Sequence, residues 1–574
     1  MASISPHQPA FRPRGGLAHA EVSVGRSATR SSMIFTSLLR RLWLTMRVHL
    51  DAFCLDPPGY VQAVFWRARG LRLRSRNRLA ALTGRSPSAY SLWIERTEPG
   101  LHAQLLQGSG ALQSLITVVD ALASEEDADS TIESIILAGG CPVIVGNAGK
   151  SGIRQVRRPA ELAQLVSPSG SWLCIVNAGD RLASKALQIY DRFAGTSGEA
   201  KIIYSDDDLD DDGRRHSPHF KSSWNSDLFV HHDFITGSAI IRVTSDLIAG
   251  LGSENWPEQL TKRVIGQGAA PIHLPAVLHH RRRRPAPVVP EKSPIPLLQN
   301  ETPTVAVIIP TRNSLSYLRN CIAGVRGSDY PAIELIVVDN DSDDPATLDY
   351  LEALEGEGVR ILRVGGDFNF SALNNVAAKH ARADFLCFLN NDVEIVDPDW
   401  LALLVRQAVR PELGAVGCRL LYPDGTVQHA GVVIGVGGGA AHAHKNVGAS
   451  DEGYFLRDKL PQRVSAVTAA CLVLSKEKFL AVGGFNEVDF PVAFNDVDLC
   501  LKLNARGWQS FYEPRAVLVH HESKSRGSDR HKRNRSRFAG ELAALKRHWA
   551  TDRRRDPYHH PHLSPFCEQF TISV

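Results

Sequence analysis

The 574-residue sequence predicts an α/β protein. Its second half reads as a doubly wound, mostly parallel sheet, preceded by a fainter α/β copy of the same design. Three observations predict this. After residue 304, short apolar runs alternate with longer amphipathic stretches, as strands alternate with helices in parallel sheets. The polar residues cluster just beyond the apolar runs, where such sheets bind ligands. SWLCIVNAGD (171–180) also parallels DFLCFLNND (384–392), each a strand that ends in a small polar turn closing on Asp.

In the second half, Val305–Pro310 (VAVIIP) predicts a buried strand and Ser314–Gly327 a helix. Ile333–Asp339, Val359–Val364 and Asp384–Leu389 predict further strands, with helices over Ala346–Glu355 and Ser371–Ala381. In the first half, strands are expected at 115–122, 134–140, 171–180 and 201–208. A proline-rich stretch with a charge run, RRRRPAPVVPEKSPIPLLQNETPT (281–304), separates the halves as a linker does. The expected organisation is a basic, partly disordered N-terminal region (1–95), a degenerate α/β domain (96–290), a linker (291–303) and a complete α/β domain (304–574).

Composition narrows the function classes. The 65 Lys+Arg against 61 Asp+Glu give a net charge of +4, which offers little support for bulk nucleic-acid binding. The nine cysteines include no CxxC pair and read as reduced, buried thiols in a cytosolic compartment. No run of 18 apolar residues predicts a membrane span. The first 80 residues hold 13 Arg, no Lys and three acids. Within them, MIFTSLLRRLWLTMRVHL (33–50) predicts an amphipathic helix that could lie on an anionic membrane or dock on its own protein. Residues 1–32 resemble a transit peptide in composition, but a disordered tail, or a start at Met33, is the favoured reading.

Four polar groups in the second half could carry chemistry. Thr311 follows the first strand and Asp339 ends the second; an Asp there can bind a nucleotide base or ribose, or cap the next helix. Asn391-Asp392 sits on the turn after DFLCFL, where a carboxylate could hold Mg²⁺ or Mn²⁺ against a diphosphate, or simply form a turn. Asn495-Asp496 begins a predicted helix, where Asp suits the helix dipole and could also act as a general base. VLVHH (517–521) brings His520 or His521 to a sheet edge. In the first half, Asp206-Asp207-Asp208 and Asp210-Asp211-Asp212 could hold a cation, although a solvated turn is the commoner fate of such a cluster. Lys524–Arg555 carries 12 Lys+Arg against three acids, and could close over a diphosphate or bind anionic lipid head groups.

Taken in order, PTRN, VVDNDSDD, FNFSALNN (368–375), FLNNDVE, TAACLVLSKEKFLAVGGFNE (468–487), FNDVDLCLKLNARGW (494–508) and VHHESKSRG (519–527) resemble family 2 glycosyltransferases of the GT-A fold. The resemblance spans about 300–563 and is closest to bacterial O-antigen, rhamnosyltransferase-like enzymes; DGTVQHAGVVIG (424–435) and DPYHHPHLSP (556–565) share it.

This resemblance implies that Asp339 and Thr311 contact the nucleotide and that Asn391-Asp392 stands at the DxD motif. Asp392 and His520 would hold the metal, and Asp496 would be the catalytic base. Gly484, Phe485 and Asn495 would lie on the acceptor side. It further implies a metal-dependent, inverting transfer from a dTDP-, UDP- or GDP-sugar to a glycan or lipid-linked acceptor. The setting would be cytoplasmic, or peripheral on the inner face of the cytoplasmic membrane, without nucleic acid. The processive QxxRW signature is absent, so one or a few sugars would be added. YSDDD, PHFKSSWNSDLF and VLHHRRRR look like the first domain of two-domain members, with part of the nucleotide pocket lost. Two other readings are a non-catalytic assembly scaffold and a sugar-nucleotide pyrophosphorylase, the latter disfavoured because PTRNSLSY lacks a glycine-rich phosphate loop.

Overall fold

A computed structural model describes residues 22–574, apart from 109, 111, 113, 123–127, 148–151, 293–301 and 523–531. Most of the expected linker therefore lies outside the described residues. Five helices come first: α1 (Val22–Leu55), α2 (Pro57–Ala68), α3 (Arg72–Thr83), α4 (Ala89–Arg96) and α5 (Glu98–Leu105). The helix expected over 33–50 is part of α1, and the basic N-terminal region is helical from residue 22 onward. Among the described residues, no helix is long and apolar enough to cross a membrane.

The first sheet contains β1 (Leu115–Asp120), β2 (Pro142–Val145), β3 (Arg154–Val156), β4 (Ser171–Asn177) and β5 (Arg181–Leu182). It is completed by β6 (Ile202–Asp211), β7 (Arg214–His219), β8 (Ala239–Val243) and β9 (Ile272–Arg281), in the order β3-β2-β1-β4-β8-β6-β9-β5 with β7 on β6. The strand expected at 134–140 is instead the end of a helix over Asp129–Leu137. Ile132 and Ile135 are buried while Ile136 and Leu137 are exposed, a helical rather than alternating pattern. Gly139, at φ 86°, then turns the chain into β2.

The second sheet is built from β10 (Val305–Thr311), β11 (Ile333–Asp339), β12 (Arg360–Arg363), β13 (Phe385–Leu389) and β14 (Val393–Ile395). It continues with β15 (Leu413–Leu421), β16 (Val427–His429), β19 (Gln462–Val464), β20 (Cys471–Ser475) and β21 (Gln509–His520). A separate hairpin pairs β17 (Val432–Ile434) with β18 (Ala440–His442). The main order is β12-β11-β10-β13-β20-β15-β21-β14. Strands β12, β11, β10 and β13 are parallel, and β20 enters antiparallel to β13. Position by position, the two sheets share strand order and direction, so the duplication read from the sequence extends through the whole sheet.

Every residue of β10 is buried, because helices cover both faces and leave no solvent side for polar alternation. Ala306 and Ile308 belong to one core layer, and Val305, Val307 and Ile309 to the other. The two α/β units also share a small core containing Trp93, Phe220, Val277, Val433, Leu563 and Phe570. Between them, the Asp227 carboxylate accepts from Arg410 at 2.8 Å and from Arg463 at 2.7 Å. Seven of the nine cysteines are buried; Cys54 and Cys141 are exposed, against expectation.

Candidate active site

A cavity of about 870 Å³ opens at the carboxyl ends of β10 and β13, within the range of small-molecule sites. Thr311, Asn391, Asp392, Asn495, Asp496 and His520, far apart in sequence, all line it. They meet because β10 and β13 are adjacent and parallel, so their carboxyl ends lie side by side. Strand β21 runs in along β14 and places His520 opposite Val393, next to Asp392.

The Asn391 amide donates to the Thr311 hydroxyl at 2.9 Å, joining the turns that follow β10 and β13. Asp339 lies one strand out, in register with Thr311. Its carboxylate accepts from the Ser342 amide at 3.2 Å and faces Arg363 at 3.5 Å. Asn313, at φ 53°, ties the two loops by hydrogen bonds to Ser342, Asp343 and Asp344.

His520 carries the most informative geometry. Its Nδ1 lies 2.7 Å from the Gln428 amide oxygen, while Gln428 Nε2 faces the His520 carbonyl and the Glu522 carboxylate, each at 3.4 Å. Turning the amide over would set its oxygen against two acceptors, so Nδ1 carries the proton and donates to Gln428. The lone pair of Nε2 then accepts from the Asn390 amide at 3.3 Å and lies 3.1 Å from Asp392 Oδ1. Two electron-rich atoms at that distance require a positive charge between them, either a second ring proton or a cation. A histidine whose far N–H is donated to a carbonyl, beside a carboxylate, is a metal-ligand arrangement. The donor set fits Mg²⁺ or Mn²⁺, which take carboxylate oxygen and tolerate one imidazole.

Asp496 enters from the start of the helix Asn495–Ala505, held there by Phe494 in a left-handed conformation at φ 60°. So bulky a residue in that region is strained, and such strain concentrates at functional sites. Burial raises the Asp496 pKa above the ordinary carboxylate value, opposed by the amides of Ala469 at 3.1 Å and Val497. Asp498, two residues on, points away and accepts from Trp549 at 2.9 Å. Helical spacing separates the two carboxylates, leaving Asp496 for the cavity.

Gly484 and Phe485 do not line the cavity. Phe485 packs in the core against Phe388 and Phe370, and Gly484 abuts Asn375 and Phe479. This GGF turn supports the helix Phe370–His380, since Asn375 donates to the Phe485 carbonyl at 2.9 Å. The β17–β18 hairpin and the basic helix Lys532–Trp549 contribute to the cavity wall instead, through His442, Arg537 and Phe538. Glu541 of that helix accepts from the amides of Val492 and Ala493 at 2.8 and 3.0 Å, anchoring the loop before Asp496. Sequence reasoning missed Gln428, although DGTVQHAG had drawn notice as a motif. It also missed Lys445 and Glu522; burial raises the Glu522 carboxyl, but Tyr422 and Lys445 hold it below the usual value.

The first unit places the corresponding positions in very different company. Asp180, between β4 and β5, matches Asp392, and His280 matches His520 through the pairing Arg181↔His280. Val145 stands opposite Asp120 where Asp339 stands opposite Thr311, so the carboxylate at the Asp339 position is missing from the first unit. His280 lies 2.7 Å from Asp208, which also accepts from Tyr90 and Arg215, both at 2.6 Å. Asp207 pairs with Lys221 at 2.7 Å and Arg284 at 3.1 Å. Asp206, Asp207, Asp208 and Asp210 are thus buried in β6, with internal cations on Asp207 and Asp208, whereas Asp211 and Asp212 are exposed at the strand's end, where a solvated turn was expected.

Asp206, His273 and His560 bring three ligand atoms within 4.8 Å of one another. His560 Nδ1 accepts from the His562 amide at 3.0 Å, so a ring proton sits on Nε2, which faces Asp206 at 2.8 Å. That ring is committed to a hydrogen bond, the opposite tautomer from His520. The trio fastens the C-terminal segment to the first unit.

Residues 306–464 match the family model for glycosyl transferase family 2. The uncharacterized protein y4gI of Sinorhizobium fredii is 37% identical over 452 residues, covering 70% of this chain and 50% of that protein. The O-antigen biosynthesis protein RfbC of Myxococcus xanthus is 33% identical over 443 residues, covering 69% of this chain and 34% of that protein. The N-acetylglucosaminyl-diphospho-decaprenol L-rhamnosyltransferase of Mycobacterium tuberculosis is 25% identical over 246 residues, covering 40% and 79%. The chain therefore spans half or less of the length of the first two relatives.

Proposed function

From a chain that carries a family 2 glycosyl transferase domain, we infer an inverting transfer of one or a few sugars from a nucleotide-sugar donor to a glycan or lipid-linked acceptor. The product would belong to a bacterial surface polysaccharide, as the names of the O-antigen and rhamnosyltransferase relatives suggest. A nucleotide donor and a lipid-linked acceptor together call for the cytoplasm and the inner face of its membrane.

The observation that carries this reading is a single cavity lined by the Asp392–His520 pair and by a carboxylate, Asp496, whose pKa is raised. Thr311 and Asn391, with Asp339 beside them, would bind the nucleotide. Asp392 and His520 would hold Mg²⁺ or Mn²⁺, which when bound neutralises charge on the diphosphate. Asp496 would accept the proton of the attacking acceptor hydroxyl, and attack opposite the leaving group inverts the anomeric carbon. The first unit would be non-catalytic, since Val145 stands where the second unit has Asp339, and His280 is held by Asp208, which is itself bonded to Tyr90 and Arg215.

The test is nucleotide release by the full-length protein from dTDP-, UDP- and GDP-sugars, with Mg²⁺ or Mn²⁺, beside Asp496→Asn. Metal-dependent release from one donor, lost in the variant, is expected. Neither binding nor release across the panel would favour the scaffold reading.

A further inference from the structure

Over residues 36–55, helix α1 packs against the described residues on one side only. Leu44, Val48 and Ala52 are buried on one side, with Leu92 of α4 packed against Leu44 and Val48. On the other side Leu38, Leu42, Trp43, Met46, Leu50 and Phe53 are 41–66% exposed. At 100° per residue these six fall within an arc of roughly 140°, opposite the buried stripe. The apolar surface continues onto α2, where Val61, Val64 and Phe65 are 46–57% exposed. The rings of Phe53 and Tyr60, 5.9 Å apart, join the two helices. Single exposed apolar residues need no explanation, but a continuous face across two helices does.

The charge around this face selects its occupant. Residues 36–80 contain nine arginines, no lysine and only Asp51 and Asp56 as acids. Both acids are engaged: Asp51 accepts from Ser86, Ser88 and Arg47, and Asp56 caps α2 and pairs with Arg78. Arg40 and Arg47 lie along one margin of the apolar arc, each more than half exposed although paired with Glu95 at 3.0 Å and Asp51 at 3.2 Å, and Arg72 and Arg74 are exposed on α3, which packs on α1 and α2. A two-fold contact with a second copy would bring these arginines against one another, because an isologous interface repeats the same patch. Lipid phosphates would pair with them while the acyl region receives Leu, Trp, Met and Phe.

We propose that the exposed faces of α1 and α2 lie in the head-group layer of an anionic bilayer, with the arginines at the rim on lipid phosphates. This rests on the transferase reading only for its purpose, which is to bring the cleft to a lipid-linked acceptor.

The experiment is vesicle flotation of the full-length protein, with phosphatidylglycerol–phosphatidylethanolamine vesicles compared with pure phosphatidylcholine. Expected is co-flotation with the anionic vesicles, reduced at least about tenfold by Leu42→Ser/Trp43→Ser/Met46→Ser and weakened, with loss of the anionic preference, by Arg72→Gln/Arg74→Gln. All of these positions are exposed, so the variants should keep the parent melting curve, which circular dichroism checks. Equal flotation of the triple variant would overturn the proposal. So would a dimer by sedimentation that the triple variant dissolves, because the face would then be a self-contact. Nucleotide release is read in parallel: vesicle binding without release from any donor would count against the transferase reading and leave this proposal standing.

Discussion

Gln428 and His520 form a 2.7 Å hydrogen bond whose direction fixes the chemistry of the cleft. Because the amide oxygen takes the Nδ1 proton, the Nε2 lone pair is turned on Asp392, 3.1 Å away. Gln428 lines the same cavity and is a positioning residue, which acts by turning Nε2 of His520 toward Asp392.

Replacing Gln428 by Leu should therefore weaken Mn²⁺ binding by about 10–100-fold, the usual effect of removing a partner behind a metal-ligating histidine. Gln428→Glu keeps an acceptor for Nδ1–H but sets its second oxygen against the His520 carbonyl and Glu522, so only partial recovery is expected. Titration of free Mn²⁺ by electron paramagnetic resonance reads this without turnover. Unchanged affinity in the Leu variant would sink the assignment.

Asp496→Asn should lower kcat by about 10²–10⁴-fold, the usual contribution of a positioned general base, with donor affinity little changed. Burial raises the Asp496 pKa, and the base works ionised, so the acid limb of kcat/KM should fall above the ordinary carboxylate range. A pH–rate profile checks this; an acid limb that persists unaltered in the Asn variant would assign it to another group.

Asp180 and Asp392 occupy matching places in the two sheets, yet their substitution should have opposite consequences. Asp392→Asn should cut turnover by at least about 100-fold, whereas Asp180→Asn should leave it unchanged. Burial pushes the Asp180 carboxyl up to about 6 from 3.8, partly offset by Arg281. A raised carboxyl favours the fold below the unfolded pKa, and that contribution is lost as pH rises through the folded one. Relative to Asp180→Asn, the parent should lose about 3 kcal/mol between pH ~4 and ~6 and then level off. Urea denaturation of both proteins across that window measures it.

His560→Ala should destabilise the protein by about 1–3 kcal/mol, because it strips a hydrogen-bond donor from the buried Asp206 carboxylate. The hydrogen-bonded tautomer also predicts that a chelator leaves the unfolding midpoint unchanged. Zinc at one equivalent per chain in the purified protein, lost together with His560, would reverse this account.

Part of the cleft was legible, less from any single motif, each of which is modest alone, than from the order in which the motifs follow one another. Thr311 and Asn391-Asp392 come directly after apolar strands, and parallel strands deliver their carboxyl ends to one edge. Asp496 opens a helix, and helical spacing alone separates it from Asp498. Phe485 was misplaced because a Gly-Gly-Phe turn reads as a loop, and whether its ring faces a cavity or a core depends on Phe388 and Phe370, more than 90 residues away. Asp207 and Asp208 looked solvated, as Asp211 and Asp212 are, because their neutralising partners, Lys221, Arg284 and Arg215, come from other segments. The apolar stretch 134–140 misled because a short run does not distinguish strand from helix.

The sequence by itself determined the alternation of strands and helices, the duplication, and which carboxylates stand at strand and helix ends; these follow from local periodicity and chain order. Only the tertiary structure decided which copy keeps an open cleft, which nitrogen of His520 faces Asp392, and which half of α1 stays uncovered. Those depend on what packs against each group from distant parts of the chain. A hydrogen bond, an ion pair or a buried face is set by the neighbour in space, and spacing along the chain does not encode it.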